Sequence, residues 1–166
     1  MSRFVSPIAL LLAFAVPSDA GAATQVVPVH AKPTKPLSLT SVQDLDLGTI
    51  ALAPGTWSGA TVSISRSGQF SCASANLICT GAPQVATYSV SGSNNEVVKI
   101  TAPNVVLTSQ NDPTQRLTLV VDSPGTVTIG TGSKKGTDFS LGGSITVSSS
   151  TSSGVYAGTF DVTVDY

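Results

Sequence analysis

From Leu37 onward the chain is built of short runs of Val, Ile, Leu and Thr, set between clusters of Gly, Pro, Asn and Ser. Almost nothing repeats at the helical period of about 3.6 residues, whereas period two recurs throughout, which is the signature of strands with two unlike faces. The runs that read as strands are 37–41, 45–51, 60–65, 84–91, 97–101, 105–108, 117–121, 126–129, 139–147 and 156–166. Turn signals separate them: Ala53-Pro54-Gly55, Gly92-Ser93-Asn94-Asn95, Asn111-Asp112-Pro113, Ser123-Pro124-Gly125, and the stretches 132–136 and 148–154. Short strands at this spacing predict an all-β protein, and two packed antiparallel sheets account for it: a β-sandwich. No internal repeat of fixed period points instead to a propeller or β-helix.

The clearest alternation closes the chain. Tyr156, Gly158, Phe160, Val162, Val164 and Tyr166 fall on one face, and Ala157, Thr159, Asp161, Thr163 and Asp165 on the other. This pattern predicts one half-buried strand whose Phe160, Val162, Val164 and Tyr166 face the core. In an assembling subunit the same strand would also border a groove or edge where a partner's strand can add.

Two amino-terminal segments differ from the rest. Residues 1–23 read as a signal peptide: Arg3 precedes the apolar run from Ile8 to Val16, and small residues follow. That run is far shorter than the roughly 20 residues a membrane-spanning helix needs. The mature chain is therefore expected outside the cytoplasm, in the periplasm, at the cell surface or extracellular, with no transmembrane segment. Residues 24–36 carry Pro28, Pro33 and Pro36 among Val26, Val27, Val29 and Ala31, so they can extend but cannot form an ordinary central strand. They read as a flexible tail in preference to an arm packed on a neighbouring subunit. Residues 37–166 then form a single β-sandwich domain.

Composition narrows the partners. Only 10% of residues are charged and the net charge is −1, against about 25% charged in ordinary domains. A nearly neutral surface rich in Ser and Thr gives nucleic acid or an anionic membrane little to hold, since both require clustered Lys and Arg. Cys72 and Cys79 are the two cysteines. In an exported chain they are expected to form a disulfide, and with the distant His30 they fall short of four zinc ligands.

Candidate chemistry fails piece by piece. His30 is the sole histidine and lies in the Pro-rich segment, with no G-x-S-x-G elbow to serve. The acids fall mostly in turns or on polar strand faces, where they are solvated. Asp44, Asp46 and Gly48 suggest a calcium pair, but the further oxygen ligands and terminal Glu of an EF-hand do not follow. Gly130 to Thr137 lacks the P-loop order of Gly and Lys and reads as a hairpin turn. Trp57 stands alone, so it reads as a cover for the end of the core rather than a sugar platform. No catalytic, metal-binding or cofactor-binding residue is assigned, and the protein is expected not to be an enzyme.

Several segments together resemble a family of secreted bacterial proteins known as domain of unknown function 4402 (DUF4402). They are Pro36-Leu37-Ser38-Leu39-Thr40 leading to Asp44-Leu45-Asp46-Leu47-Gly48-Thr49-Ile50, then Ala86-Thr87-Tyr88-Ser89-Val90-Ser91-Gly92, Gly142-Gly143-Ser144-Ile145-Thr146-Val147, and Gly154 to Tyr166. The last is also similar to spore-coat-protein-U-like and fimbrial subunits, which end in a Gly-containing alternating strand with an aromatic at or near the terminus. The resemblance implies an immunoglobulin-like antiparallel β-sandwich and a non-catalytic surface role as a pilus-like or coat subunit. Its implied partners are further copies or related surface subunits, and it leaves a periplasmic chaperone open. The Pro-rich segment departs from the alternating donor strands of fimbrial subunits. The alternative function is a periplasmic or extracellular ligand-binding module, for example for carbohydrate.

Overall fold

The computed structural model describes residues 25–131, 136–159 and 161–166. The signal peptide, the tip of the 132–136 turn and Phe160 lie outside the described residues. The chain divides into two units, Met1–Lys32 and Pro33–Tyr166. In the first, residues 25–32 have no regular secondary structure and are exposed: Val26 is 91%, Val27 69% and Val29 89% accessible.

The second unit is all-β, with no helix among the described residues. Its strands are β1 (Ser38–Gln43), β2 (Thr49–Leu52), β3 (Ala60–Ile64), β4 (Phe70–Ser71), β5 (Leu77–Thr80), β6 (Ala86–Ser91), β7 (Val97–Thr101), β8 (Val105–Ser109), β9 (Arg116–Asp122), β10 (Thr126–Thr128), β11 (Thr137–Val147), β12 (Tyr156–Ala157) and β13 (Thr163–Asp165). One large sheet, curled like half a barrel, runs β1-β6-β11-β9-β8-β12, with β3 also on β11 and β4 on β3. A three-stranded sheet runs β10-β7-β13, and among the described residues β2 pairs with β5 alone. The strand pairs that build these sheets are antiparallel.

Strand β11 is the spine of this arrangement. Residues Thr137 to Leu141 pair with β6, Gly142 to Ser144 pair with β9, and Gly143 to Val147 pair with β3. Its buried residues contribute to two core clusters. Phe139 and Leu141 join Ala86, Val90, Val98, Ile100 and Ile129, so the three-stranded sheet packs on this half. Ile145 and Val147 join Ala60, Val62, Leu77, Val105 and Leu119, against which Ile50 and Leu52 of β2 also pack. Leu45 and Val121 touch both clusters.

Three expectations are corrected. The run 45–51 is not one strand: Asp46 makes an isolated bridge to Gln84, and Gly48 then turns the chain with φ +75°. The Asp46 carboxylate accepts a hydrogen bond from the Gly48 N–H at 2.8 Å, so a local turn competes with the ladder here. Second, β4 and β5 occupy a stretch that was not read as strand, because Phe70–Ser71 is too short to alternate and Leu77–Thr80 is hidden among Ala, Ser and Cys. Third, 156–166 is not one strand: β12 adds to β8, whereas β13 adds to β7 in the other sheet. Alternation constrains which side chains turn inward, but it does not choose the neighbouring strand.

The carboxy-terminal residue ties three segments together. The Tyr166 hydroxyl donates to the Lys35 carbonyl and accepts from the Ser93 N–H at 2.9 Å, while the Lys35 N–H donates to Ser93 Oγ at 2.7 Å. Removing that hydroxyl abolishes two hydrogen bonds, each worth about 1 kcal/mol. Tyr166→Phe is therefore expected to lower the unfolding free energy by about 1–2 kcal/mol, read from the urea midpoint at unchanged slope.

Candidate functional site

A trough of about 1060 Å³ lies beside the second core cluster. Leu107, Leu117 and Leu119 of β8 and β9, with Ile145 and Val147 of β11, supply its apolar floor. Residues 44–52 form one wall and residues 151–159 the other. Antiparallel pairing explains the floor: alternate residues of adjacent strands turn the same way, so β8, β9 and β11 present one continuous apolar row. Leu119, Ile145 and Val147 are buried, but Leu45, Leu47, Ile50, Leu52, Leu107 and Leu117 are only half-buried. The core is thus closed below the trough and open above it.

The walls differ in what they offer. Among the described residues β2 has β5 as its one strand partner, leaving its other edge along the trough. The Ala53 N–H donates to the Asn76 carbonyl at 2.9 Å, continuing the β2–β5 register. Backbone groups alternate sides along a strand, so Thr49 and Ala51 also bond towards β5, while Ile50 and Leu52 direct theirs at the free edge. The opposite wall is tied down by β12 on β8, by the Gln110 N–H donating to the Val155 carbonyl at 2.8 Å, and by the Tyr156 hydroxyl donating to the Ser152 carbonyl at 2.9 Å.

The trough's charged lining residues are Asp44 and Asp46, at one end. Tyr88 stands near them, its hydroxyl pushed above its ordinary pKa by burial and by the Asp44 charge, against a lowering hydrogen bond with Ser41. Among the described residues no three of His, Cys, Asp and Glu gather as a metal site. His30 lies exposed in the amino-terminal segment.

The other singled-out residues are dispersed. Tyr156 is half-buried in the trough wall. Val162 and Val164 are half-buried against the first cluster, away from the trough, and Tyr166 is 45% exposed. Trp57 packs half-buried on the second cluster, its indole N–H donating to the Ala53 carbonyl at 3.0 Å. The trough itself was missed from sequence. Its one visible sign was the Leu45, Leu47, Ile50 series, which sequence reading assigned to a single strand, 45–51.

Cys72 and Cys79 lie at disulfide distance, S–S 1.98 Å, joining the end of β4 to β5 behind the β2 wall. Reducing this short loop is expected to cost about 2.5 kcal/mol on the chain-entropy account. Urea unfolding with and without reductant measures it.

Among the described residues, no helix is long and apolar enough to cross a membrane. The family model described as Domain of unknown function (DUF4402) matches residues 37–166. No curated protein and no solved structure matches the chain.

Proposed function

We propose that this chain, which belongs to the DUF4402 family, is a non-catalytic structural subunit exported to the periplasm or cell surface, where it assembles with other subunits into a coat or pilus-like array. The trough carries this reading. A floor of Leu107, Leu117 and Leu119 under an open roof, beside a strand edge with one partner, is an incomplete layer of β-structure. An extended segment laid there gains main-chain hydrogen bonds from the edge and burial from the floor at once. The Cys72–Cys79 pair fits an oxidising compartment. An immunoglobulin-like arrangement of the sheets belongs to the same proposal, with the β10-β7-β13 sheet and the β2–β5 pair as parts of the covering layer.

The second reading, an extracellular or periplasmic ligand-binding module, rests on the same trough, whose volume reaches the upper end of the range for small-molecule sites. Sedimentation of the natively exported protein separates the two. An assembling subunit gives high-mass species that grow with concentration, and cells carrying it show surface material by electron microscopy that deletion strains lack. A monomer at every concentration whose melting temperature rises with a saccharide ligand overturns the assembly reading.

A further inference from the structure

We infer that the outer face of the large sheet carries a second binding site, a hollow between the β3–β4 hairpin and β9 that takes a neutral saccharide. The site is separate from the trough and stands whether or not the chain assembles.

Strand pairing creates the hollow. At Gly143 and Ser144 strand β11 has a partner on either side: Ile64 and Ser63 of β3, and Val121 and Val120 of β9. Ser71 of β4 lies opposite Ser63, so four strands run side by side here. The central strand contributes only Gly and Ser, which keeps the floor low between Gln69 on one side and Val120 and Asp122 on the other. The space enclosed is about 720 Å³, within the roughly 300–1,000 Å³ of small-molecule sites. Side chains alternate along a strand, so Ser63, Ser144 and Val120 turn away from their buried neighbours Val62, Ile145 and Leu119. Ile145 and Leu119 line the trough, which puts the two concavities on opposite faces of the sheet.

The rim is tied in place. The Arg66 N–H donates to Asp122 Oδ2 at 2.9 Å, and the Arg66 guanidinium donates to the Ser123 carbonyl at 3.0 Å, so the hairpin tip is fastened to the end of β9. Within the hairpin the Gln69 N–H donates to Ser65 Oγ at 3.2 Å, and the Ser65 and Ser67 hydroxyls share a hydrogen bond of 2.8 Å. A rim braced before binding loses little further freedom on association.

The lining selects the ligand class. Ser63, Ser71 and Ser144 form one cross-strand row of hydroxyls, each able to donate and to accept. Gln69 adds an exposed amide that does both, and Asp122 holds Oδ1, 3.9 Å from Arg66 Nη1, as an acceptor at the rim. Val120, 50% exposed, supplies an apolar surface beside the hydroxyl row. A sugar ring carries hydroxyls that donate and accept around apolar C–H faces, so it pairs with both kinds of lining. An apolar ligand would strip the serines of water and give them no partner. A phosphate or carboxylate would face the Asp122 charge, while the Arg66 guanidinium is engaged with Ser123.

Saturation-transfer NMR on the full exported chain tests the site, with maltose, cellobiose and lactose as probes and glucose 6-phosphate as the charged comparison. Saturable binding of at least one disaccharide is expected, with glucose 6-phosphate at least about tenfold weaker. Ser144→Val raises the floor with a side chain suited to a strand and removes a hydroxyl, and Gln69→Ala removes the amide from an exposed position. Each should weaken binding at least about tenfold, with thermal melts that match the parent's. Leu117→Ser, in the trough floor on the other face, should leave the affinity within about twofold. Failure of all the disaccharides to bind overturns the proposal, as does binding that survives both Ser144→Val and Gln69→Ala. Binding lost on Leu117→Ser instead moves the sugar to the trough and overturns the second site. Tighter binding of glucose 6-phosphate overturns the neutral class.

Discussion

Gly142→Val is expected to yield no cooperatively folded protein. A Cβ at Gly142 would lie 2.3 Å from the Ile64 carbonyl oxygen and 2.6 Å from the Arg66 N–H nitrogen, both backbone atoms of the β3 end. Backbone cannot swing aside as a long side chain can, so relief requires the β3–β11 ladder itself to shift. Overpacking a core typically costs 1–3 kcal/mol through side-chain rearrangement; forcing two strands apart should exceed about 4 kcal/mol, a large share of the roughly 5–15 kcal/mol that holds an ordinary domain together. Gly130→Ala is the matched control, since its added Cβ meets only Thr137 Oγ1 at 3.5 Å, an ordinary contact. Far-ultraviolet circular dichroism through a urea titration distinguishes them. A cooperative transition for Gly142→Val near the wild-type midpoint would show that β3 does not approach β11 this closely.

Val62→Asp is expected to be equally severe through a different cause. Val62 is 0% exposed, pairs across from Ile145, and sits within the cluster that floors the trough. A carboxylate there loses its hydration with no cation to replace it, so it must either unfold the domain or take up a proton with a strongly raised pKa. Stability should fall by about 3–5 kcal/mol at neutral pH. Since the folded pKa is raised above the unfolded value, the loss is smallest below about pH 4, where both states are neutral, and grows as pH rises. Thr61→Asp, one residue away on the outer face, disturbs only a 3.4 Å contact with Thr146 Oγ1 and should change stability by no more than about 0.5 kcal/mol. Denaturant midpoints at acid and neutral pH check both the size and the sign.

These two sites also mark how far a linear reading reaches. The strand around Val62 was legible, as the run 60–65, because period two is a local property: a residue's face follows from its neighbours two positions away. For the same reason 97–101 and 105–108 were read nearly as they stand in β7 and β8. Gly142 is different. Its neighbours Leu141 and Gly143 say only that the strand is thin there, and the reason lies on β3, distant in sequence and adjacent in space.

The chain's own letters therefore determined its all-β class and its turns, and placed Val162 and Val164 on an inward-turned face. They also brought Cys72 and Cys79 together as a pair, since a short loop and an even count need no knowledge of the fold. Tertiary structure decided what local pattern leaves undetermined: which strand lies beside which. It separated β12 from β13 within one alternating run, started β2 only after the Gly48 turn, and left Leu107 and Leu117 half-covered under an open roof. Strand pairing joins residues far apart through backbone groups that are alike in every sequence. A trough formed by the absence of one neighbour is therefore a property of the assembled sheets, with no local pattern to announce it.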